Sequence, residues 1–432
     1  MNNASYQNFD LPPSLWVATA APASVTPPLD GDQQADVAIV GGGFTGLSSA
    51  LHLAEQGTDV AVLEAGEPGW GASGRNGGQV IPGLKEDPSK ILLRFGPKLG
   101  EKIIKSAGQA ADLVFNLIRH YEMDCEFQQN GWIQAAHTKK MLPTLRRRHD
   151  DWAARDANVA WIDRDELAQR MGDDRYHGGW IDKRGGGVQP LSYARGLAKT
   201  AQMRGARVHG GSPVTSLNRG RTGWRLATPS GVLTANKVIL ATNGYTDHLW
   251  PGLAKSIIPL YSAQVATAPL GENFRSKILG GGEVLSDTHR VLWYFRMDNH
   301  GRLIMGGGGS AYENGAVKVY DSLKDRARTL FPEARDIEFE FSWNGKMAVT
   351  TDHYPHLHEL APDLCAGLGY NGRGVAMATM MGRILADRIL GTEDPEFEFA
   401  TSPLHSLPLH GIRGIAVTAA RAYYRFRDAL DD

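Results

Sequence analysis

The chain has 432 residues, 46 basic and 47 acidic side chains and a formal net charge of −1, a balance that argues against a nucleic-acid partner. Its two cysteines, Cys125 and Cys365, are far apart in sequence, which excludes a disulfide framework and a C-x-x-C motif. No run approaches the roughly 18 apolar residues of a spanning helix, and no basic region followed by an apolar run opens the chain, so a reducing, cytoplasmic setting is expected.

The length exceeds one comfortable core and predicts two interleaved domains. Many of the 51 glycines sit in short clusters, which points to tight turns and close backbone–ligand approach. Residues 1–35 are rich in Pro, Ala, Ser and Thr and read as an extended surface arm, with Leu15-Trp16-Val17 as a packing anchor.

Residues 36–64 carry the strongest pattern. Val37 to Val40 suits a buried parallel strand, and Gly41, Gly43 and Gly46 form a G-x-G-x-x-G turn around Phe44 and Thr45. Leu47 to Gln56 has helical spacing and stops at Gly57, and a second strand, Val60 to Leu63, ends in Glu64 and Ala65. Gly41 allows the tight turn, Gly43 lets a pyrophosphate approach the backbone, and Gly46 lets the helix pack closely on the strand. The helix N-terminus offers N–H groups to phosphates, and Glu64 stands where a carboxylate accepts hydrogen bonds from a ribose diol.

A second glycine-rich loop follows, with Gly71, Ala72, Ser73, Arg75, Asn76, Gly77, Gly78 and Gln79. A plain nicotinamide dinucleotide does not need it. Ser73, Arg75 and Asn76 suit phosphate and ribityl oxygens, and Gly77 and Gly78 let backbone pass close to a flat ring. Residues 86–122 and 138–171 read as helical, with Arg146-Arg147-Arg148 as a solvated face. Residues 127–136 and the start of 178–190 are strand-like, and Leu191 to Arg204 is helical.

Trp224 to Ala227 and Gly231 to Thr234 pair as a hairpin, and Lys237 to Leu240 is a strand ending in Ala241, Thr242, Asn243 and Gly244, small enough to abut a cofactor. Residues 260–268 and 284–305 predict antiparallel strands turning at Asp298-Asn299-His300-Gly301. Residues 323–330 predict a helix and 337–343 a strand. Leu364 to Leu368 is a strand, and Gly369, Asn371, Gly372, Arg373 and Gly374 form a third turn before a helix that begins at Val375.

The stretches VAIVGGGFTG…VLEA, GASGRNGGQ, VILATNGYT and GYNGRGVAMATMMGR, in that order, resemble the D-amino-acid-oxidase-type FAD-dependent oxidoreductases. Within that group the chain is most similar to γ-glutamylputrescine oxidoreductases, on GFTGLSSALHLAEQG, GWGASGRNGGQ, Tyr294-Phe295-Arg296 and the tail from Ala419 to Tyr424. The resemblance implies an α/β two-domain fold, a Rossmann-like FAD-binding domain interleaved with a β-sheet-rich substrate domain. The expected division is an arm at 1–35, FAD-binding segments at 36–95, 188–250 and 345–391, substrate segments at 96–187 and 251–344, and an extension at 392–432.

The resemblance also implies FAD and hydride transfer from an amine carbon to flavin N5, with the imine hydrolysed by water and O2 or another acceptor reoxidising the flavin. The three turns and Glu64 would hold FAD, Val214 would meet the adenine through its backbone, and Gly372, Arg373 and Gly374 would cover the pyrimidine edge. Many relatives have His where Arg373 stands; an arginine stays charged there, so Arg373 is a catalytic candidate that would favour the anionic reduced flavin or instead orient a substrate carboxylate. Sarcosine oxidases carry a carboxylate-clamping lysine and a flavin-linking cysteine near the places of Ala376 and Met347, so non-covalent FAD is expected.

Tyr294 and Arg296 share a strand face, where Arg could grip a substrate carboxylate and Tyr could shape the pocket. Gln79, Gln264 and Trp343 are further substrate candidates, and Lys346 is a candidate aid to oxygen reduction. Asp352 to His358 is histidine-dense and reads as a polar loop rather than a metal site. A final helix from Ile415 to Leu430 is expected to pack on the protein, with membrane-surface contact as its alternative. The leading expectation is a γ-glutamylpolyamine oxidase. The alternatives are an enzyme of secondary or D-amino acids, such as pipecolate, proline or glycine, and a flavoprotein of electron transfer, tRNA modification or assembly.

Overall fold

A computed structural model describes residues 9–331, 336–393 and 395–431. Two eight-stranded sheets dominate it. In the first, Gln33–Val40 lies between Val60–Leu63 and Gly231–Leu240, parallel to both. Arg207–His209 extends the sheet beyond Val60–Leu63, and Leu364–Leu368 extends it beyond Gly231–Leu240. Side chains alternate along the central strand. Val37 and Ile39 face a core shared with the helices Phe44–Glu55 and Gly374–Leu390, while Ala38 and Val40 face Leu226 and Leu233.

These two helices cross where their side chains are small. Ser48 Oγ donates to the Thr379 carbonyl (2.7 Å) and Ser49 Oγ to the Gly382 carbonyl (3.0 Å). A Cβ on Gly382 would lie 2.6 Å from the Thr45 carbonyl oxygen, so only glycine allows this approach. The long helix Pro88–His120 joins the same core and breaks at Gly96, whose φ of 73° precedes Pro97.

The second sheet runs Phe339–Val349, Ile258–Thr267, Leu303–Ser310, Trp293–Met297, Val284–Asp287, Trp132–Ala135, Gly179–Asp182 and Val159–Ile162. All pairs are antiparallel except Val284–Asp287 with Trp132–Ala135. One face is apolar: Ile133, Leu285, Phe295, Met305 and Val265 pack with Leu323 and Ala327 of the helix Asn314–Leu330. The opposite face turns towards the first sheet and its loops.

The α/β fold with a Rossmann-like part and a sheet-rich part is the expected one. Several local readings change. The interval 138–171 is not helical throughout: Val159–Ile162 is a strand at the edge of the second sheet, between the helices Leu142–Ala153 and Arg164–Met171. The hairpin strand after Ser230 and the strand ending at Leu240 are one element, Gly231–Leu240: one edge pairs with Gln33–Val40 along residues 233–240, and the other is shared by Trp224–Thr228 and Leu364–Leu368. The strand Phe339–Val349 runs across the boundary expected at residue 345. The arm contains a short helix, Leu15–Thr19, capped by Ser14.

Candidate active site

The three glycine-rich turns meet at the carboxyl end of the parallel strands. Gly41 (φ 108°) sits against Ala241, whose carbonyl oxygen would lie 2.9 Å from a Cβ at Gly41. A Cβ on Gly46 would collide with the Gly41 carbonyl oxygen. Gly43 caps the helix Phe44–Glu55, and Ser73 Oγ of the second loop accepts the Phe44 N–H (3.0 Å). Thr45 Oγ1 bonds Tyr370 Oη (2.6 Å), tying the first turn to the third.

The Glu64 carboxylate closes the second strand, accepting N–H bonds from Gly42 of the first turn (2.6 Å) and from Gly66, just past Ala65 (2.9 Å). Burial raises its pKa, and these backbone N–H groups oppose the rise. Val214 lies in the adjacent loop, where the Ser212 N–H donates to the Glu64 carbonyl (2.7 Å). In the third turn, Gly369 N–H donates to Asn243 Oδ1 (2.9 Å), and the Asn371 side chain bonds Thr350 N–H (2.9 Å) and the Gly369 carbonyl (2.7 Å). Thr242 Oγ1 bonds Thr246 (2.7 Å), and Val375 is buried in the helix's first turn. A Cβ on Gly372 or Gly374 would meet no atom within 4 Å, so this turn fronts open space.

The inner face of the second sheet carries one continuous cross-strand row. Trp180, Gln134, Ser286, Tyr294, Gly306, Gln264 and Trp343 are successive register partners. Gly306 is small because the Tyr294 ring lies over it, and a Cβ on Gly77 would strike the same ring. Tyr294 Oη accepts from Gln264 Nε2 (2.8 Å), while Gln264 Oε1 is buried with no partner among the described residues. Burial raises the Tyr294 pKa, and the bonds to Ser262 and Gln264 oppose this.

The second loop locks onto this row. Arg75 Nε donates to the Trp70 carbonyl (2.7 Å), and its guanidinium lies 4.4 Å from the Trp70 ring centre. Asn76 bonds the Ser73 carbonyl (2.8 Å) and the Gly78 N–H (2.8 Å). Gln79 donates to the Leu285 carbonyl (3.0 Å) and accepts from Ser286 Oγ (3.0 Å). Trp343 Nε1 donates to the Arg75 carbonyl (3.0 Å). The side-chain hydrogen bonds of Arg75 and Asn76 therefore shape the loop itself, and those of Gln79 tie it to the second sheet.

Arg296 is not open to a ligand in this arrangement. It is buried, donating to the carbonyls of Gly77 (3.1 Å) and Val188 (2.7 Å) beneath the Trp16 ring, and burial pushes its pKa down to about 10. Lys346 lies outside the row, three residues past Trp343 on the same strand and opposite Tyr261, its ammonium 4.4 Å from the Tyr245 ring centre. Its pKa is lowered by burial, with Glu313 opposing. Gly244 is held tightly under the Lys346 carbonyl, and Gly71 packs on Tyr245 beside Ala72.

A second polar cluster was not expected from the sequence. Arg373 donates to the Pro82 carbonyl (3.3 Å) and lies 4.5 Å from the Trp132 ring centre. It opens into a pocket shared with Lys85, Arg148, Gln134, Trp152 and Trp180. Arg148 is paired with Asp87 (2.7 Å) and also donates to Gln134 Oε1 (3.2 Å). Burial and Arg148 bring the Arg373 pKa down to about 9, and burial and Arg373 lower that of Lys85. Glu86 and Asp87 line it too, so the pocket is a narrow niche of about 10 Å³ with three cations, two carboxylates and indole walls.

The sequence model of the family described as "FAD dependent oxidoreductase" matches residues 36–388. The chain belongs to this DAO family. It is 31% identical over 398 residues to γ-glutamylputrescine oxidoreductase of Escherichia coli K12, covering 91% of this chain and 93% of that one. It is 30% identical over 412 residues to a probable oxidoreductase OrdL of Haemophilus influenzae, covering 93% and 94%. Among solved structures, glycine oxidase from Geobacillus kaustophilus superposes with a TM-score of 0.71 at 23% identity, covering 87% of this chain and 99% of that one.

As a DAO-family member the protein is an FAD-dependent oxidoreductase of amine or amino-acid C–N bonds, and its turns fit that cofactor. A carboxylate ends the second strand, two helices direct N-termini at the cleft, and the third turn borders open space at Gly372 and Gly374. The described histidines of the 352–358 stretch bond protein groups: His356 bonds Asp352 (3.1 Å) and His358 bonds the Ser402 carbonyl (2.7 Å). No group among the described residues is arranged to hold a metal. Ser286, Gln134 and Lys85 were missed, Trp16 was read only as a packing anchor, and Arg148, read as part of a solvated face, pairs with Asp87 and Gln134 instead. Period-two spacing in residues 127–136 was the only local signal for Gln134, and its neighbours across strands are set by non-local pairing.

Proposed function

We propose that this enzyme oxidises the amine end of a γ-glutamylated polyamine. The carrying observation is the pair Arg373 and Lys85 beside the third turn, neither with a carboxylate bonded to it among the described residues, at a narrow indole-walled niche that Glu86 and Asp87 also line. Bound FAD supplies the hydride acceptor for the C–N bond. Arg373, with Arg148 and Lys85, then holds the carboxylate of the glutamyl end, and Trp132, Trp152 and Trp180 shield that ion pair from water. Arg296 instead fixes the backbone of Gly77 and Val188. Gln264 Oε1 is a buried acceptor with no partner among the described residues, and its amide holds the Tyr294 hydroxyl in place beside the cleft. Similarity to the E. coli enzyme supports the substrate class.

The test is anaerobic flavin bleaching with γ-glutamylputrescine, putrescine, glycine, proline and pipecolate. γ-Glutamylputrescine is expected to bleach fastest, and Arg373→Gln to raise its KM about 100-fold, the loss of a charge-assisted pair of about 3 kcal/mol. Equal bleaching by putrescine, which lacks the carboxylate, would sink the proposal.

A further inference from the structure

The C-terminal helix Arg413–Asp431 is amphipathic, yet it meets the protein with its polar side. Gly414 and Asp428 are its buried residues. Gly414 packs under the Tyr312 ring, and Asp428 accepts from the Arg290 side chain (2.8 Å) and from the Arg290 and Val291 N–H groups (3.2 and 3.3 Å). Asp431 pairs with Arg290 (2.9 Å) and Lys140 (3.1 Å). These are the helix's only carboxylates, and both are turned inward.

The outer side is apolar. Ile415, Ala419, Ala422, Phe426 and Leu430 recur at helical spacing along one stripe, with Tyr423 beside it. Ile415 is 67%, Phe426 61%, Leu430 62% and Tyr423 53% exposed. Arg425 and Arg427 are exposed at the two margins of the stripe, and Arg427 donates to Tyr423 Oη (3.0 Å). An apolar stripe with cations at its edges and no outward acid is the composition of a helix lying in a lipid headgroup layer. No described helix is long and apolar enough to cross a membrane.

A second copy of the chain is the competing occupant. A helix of this length is about 28 Å long, and a stripe about 10 Å wide offers roughly 300 Å², against about 800 Å² per partner in a stable dimer. Flanking cations facing their own copies would also repel. We propose that this helix docks the enzyme on an anionic lipid surface, with Phe426, Leu430 and Ile415 in the acyl boundary and Arg425 and Arg427 at the headgroups.

The test uses the full-length FAD-loaded enzyme, sedimented with vesicles of phosphatidylcholine alone and of phosphatidylcholine mixed with phosphatidylglycerol. Binding is expected only with phosphatidylglycerol and is expected to fall with salt. Phe426→Ser should weaken it about tenfold, and Arg425→Glu with Arg427→Glu should abolish it, both with amine turnover in solution unchanged. Failure to sediment with either vesicle would overturn the proposal. So would a dimer in analytical ultracentrifugation that Phe426→Ser dissociates, because the stripe would then be covered by a second copy.

Discussion

The indole N–H of Trp16 donates to the main-chain carbonyl of Asn76 at 2.7 Å, joining the N-terminal arm to the second glycine loop across 60 residues of sequence. The same indole packs edge-on to Trp343 at 5.6 Å and covers the Arg296 guanidinium. The arm is therefore a wall of the site. Trp16→Ala should destabilise the protein by about 3 kcal/mol and lower flavin retention. Trp16→Phe, which keeps the ring and loses the N–H, should cost about 1 kcal/mol. Urea denaturation and the flavin-to-protein absorbance ratio measure both. An Ala variant with native stability would show the arm to be dispensable.

Two glycines separate folding from cofactor binding. Gly46→Ala drives a methyl group into the Gly41 carbonyl and is expected to yield little folded protein. Gly374→Ala meets no protein atom within 4 Å, so apoprotein stability should hold within about 0.5 kcal/mol, while flavin affinity is expected to fall on the proposal that the cofactor fills that space. Fluorescence titration with FAD checks this. Unchanged affinity in Gly374→Ala would place the cofactor elsewhere.

Arg296 and Arg373 should respond oppositely. Arg296→Leu leaves the buried Gly77 and Val188 carbonyls without their donor and should cost about 3 kcal/mol of stability. In that variant, KM measured per bound flavin should stay near the native value. A KM rise with full stability would return Arg296 to the substrate.

Lys346 tests the acceptor side. Its ammonium is lowered in pKa by burial and rests on Tyr245. Lys346→Met should leave anaerobic reduction by amine unchanged and slow reoxidation by oxygen by about tenfold or more, if a positive charge aids that step. Stopped-flow half-reactions separate the two. Equal reoxidation rates in both proteins would remove Lys346 from the chemistry.

Burial of His358 lowers its pKa from 6.5 to about 4. Its Nδ1 faces the Ser402 carbonyl and its Nε2 is buried without a partner among the described residues, so the folded state holds the ring neutral. Between pH 4 and 6.5 the unfolded chain binds the extra proton, so the contribution is complete above pH 6.5 and is lost as pH falls towards 4. It amounts to at most about 3 kcal/mol. Melting temperature against pH should fall through this window, and His358→Asn should flatten that part of the curve.

The nucleotide half of the fold was legible because its determinants are local. Strand, turn, helix and acid follow one another from Val37 to Glu64, and each glycine's role is steric and immediate. The same holds for the strand Leu364–Leu368 and the turn after it. The Val159–Ile162 strand was hidden, since its short run is stabilised by an edge pairing with Gly179–Asp182. The substrate face was decided only in three dimensions. Period-two spacing places Tyr294 and Arg296 on one side of a strand, but cross-strand register sets Tyr294 beside Gln264 and puts Arg296 under Trp16. Sequence also shows that the last helix is amphipathic. Which of its sides meets the protein depends on Arg290 and Lys140, which lie far away in the chain and draw its two carboxylates inward.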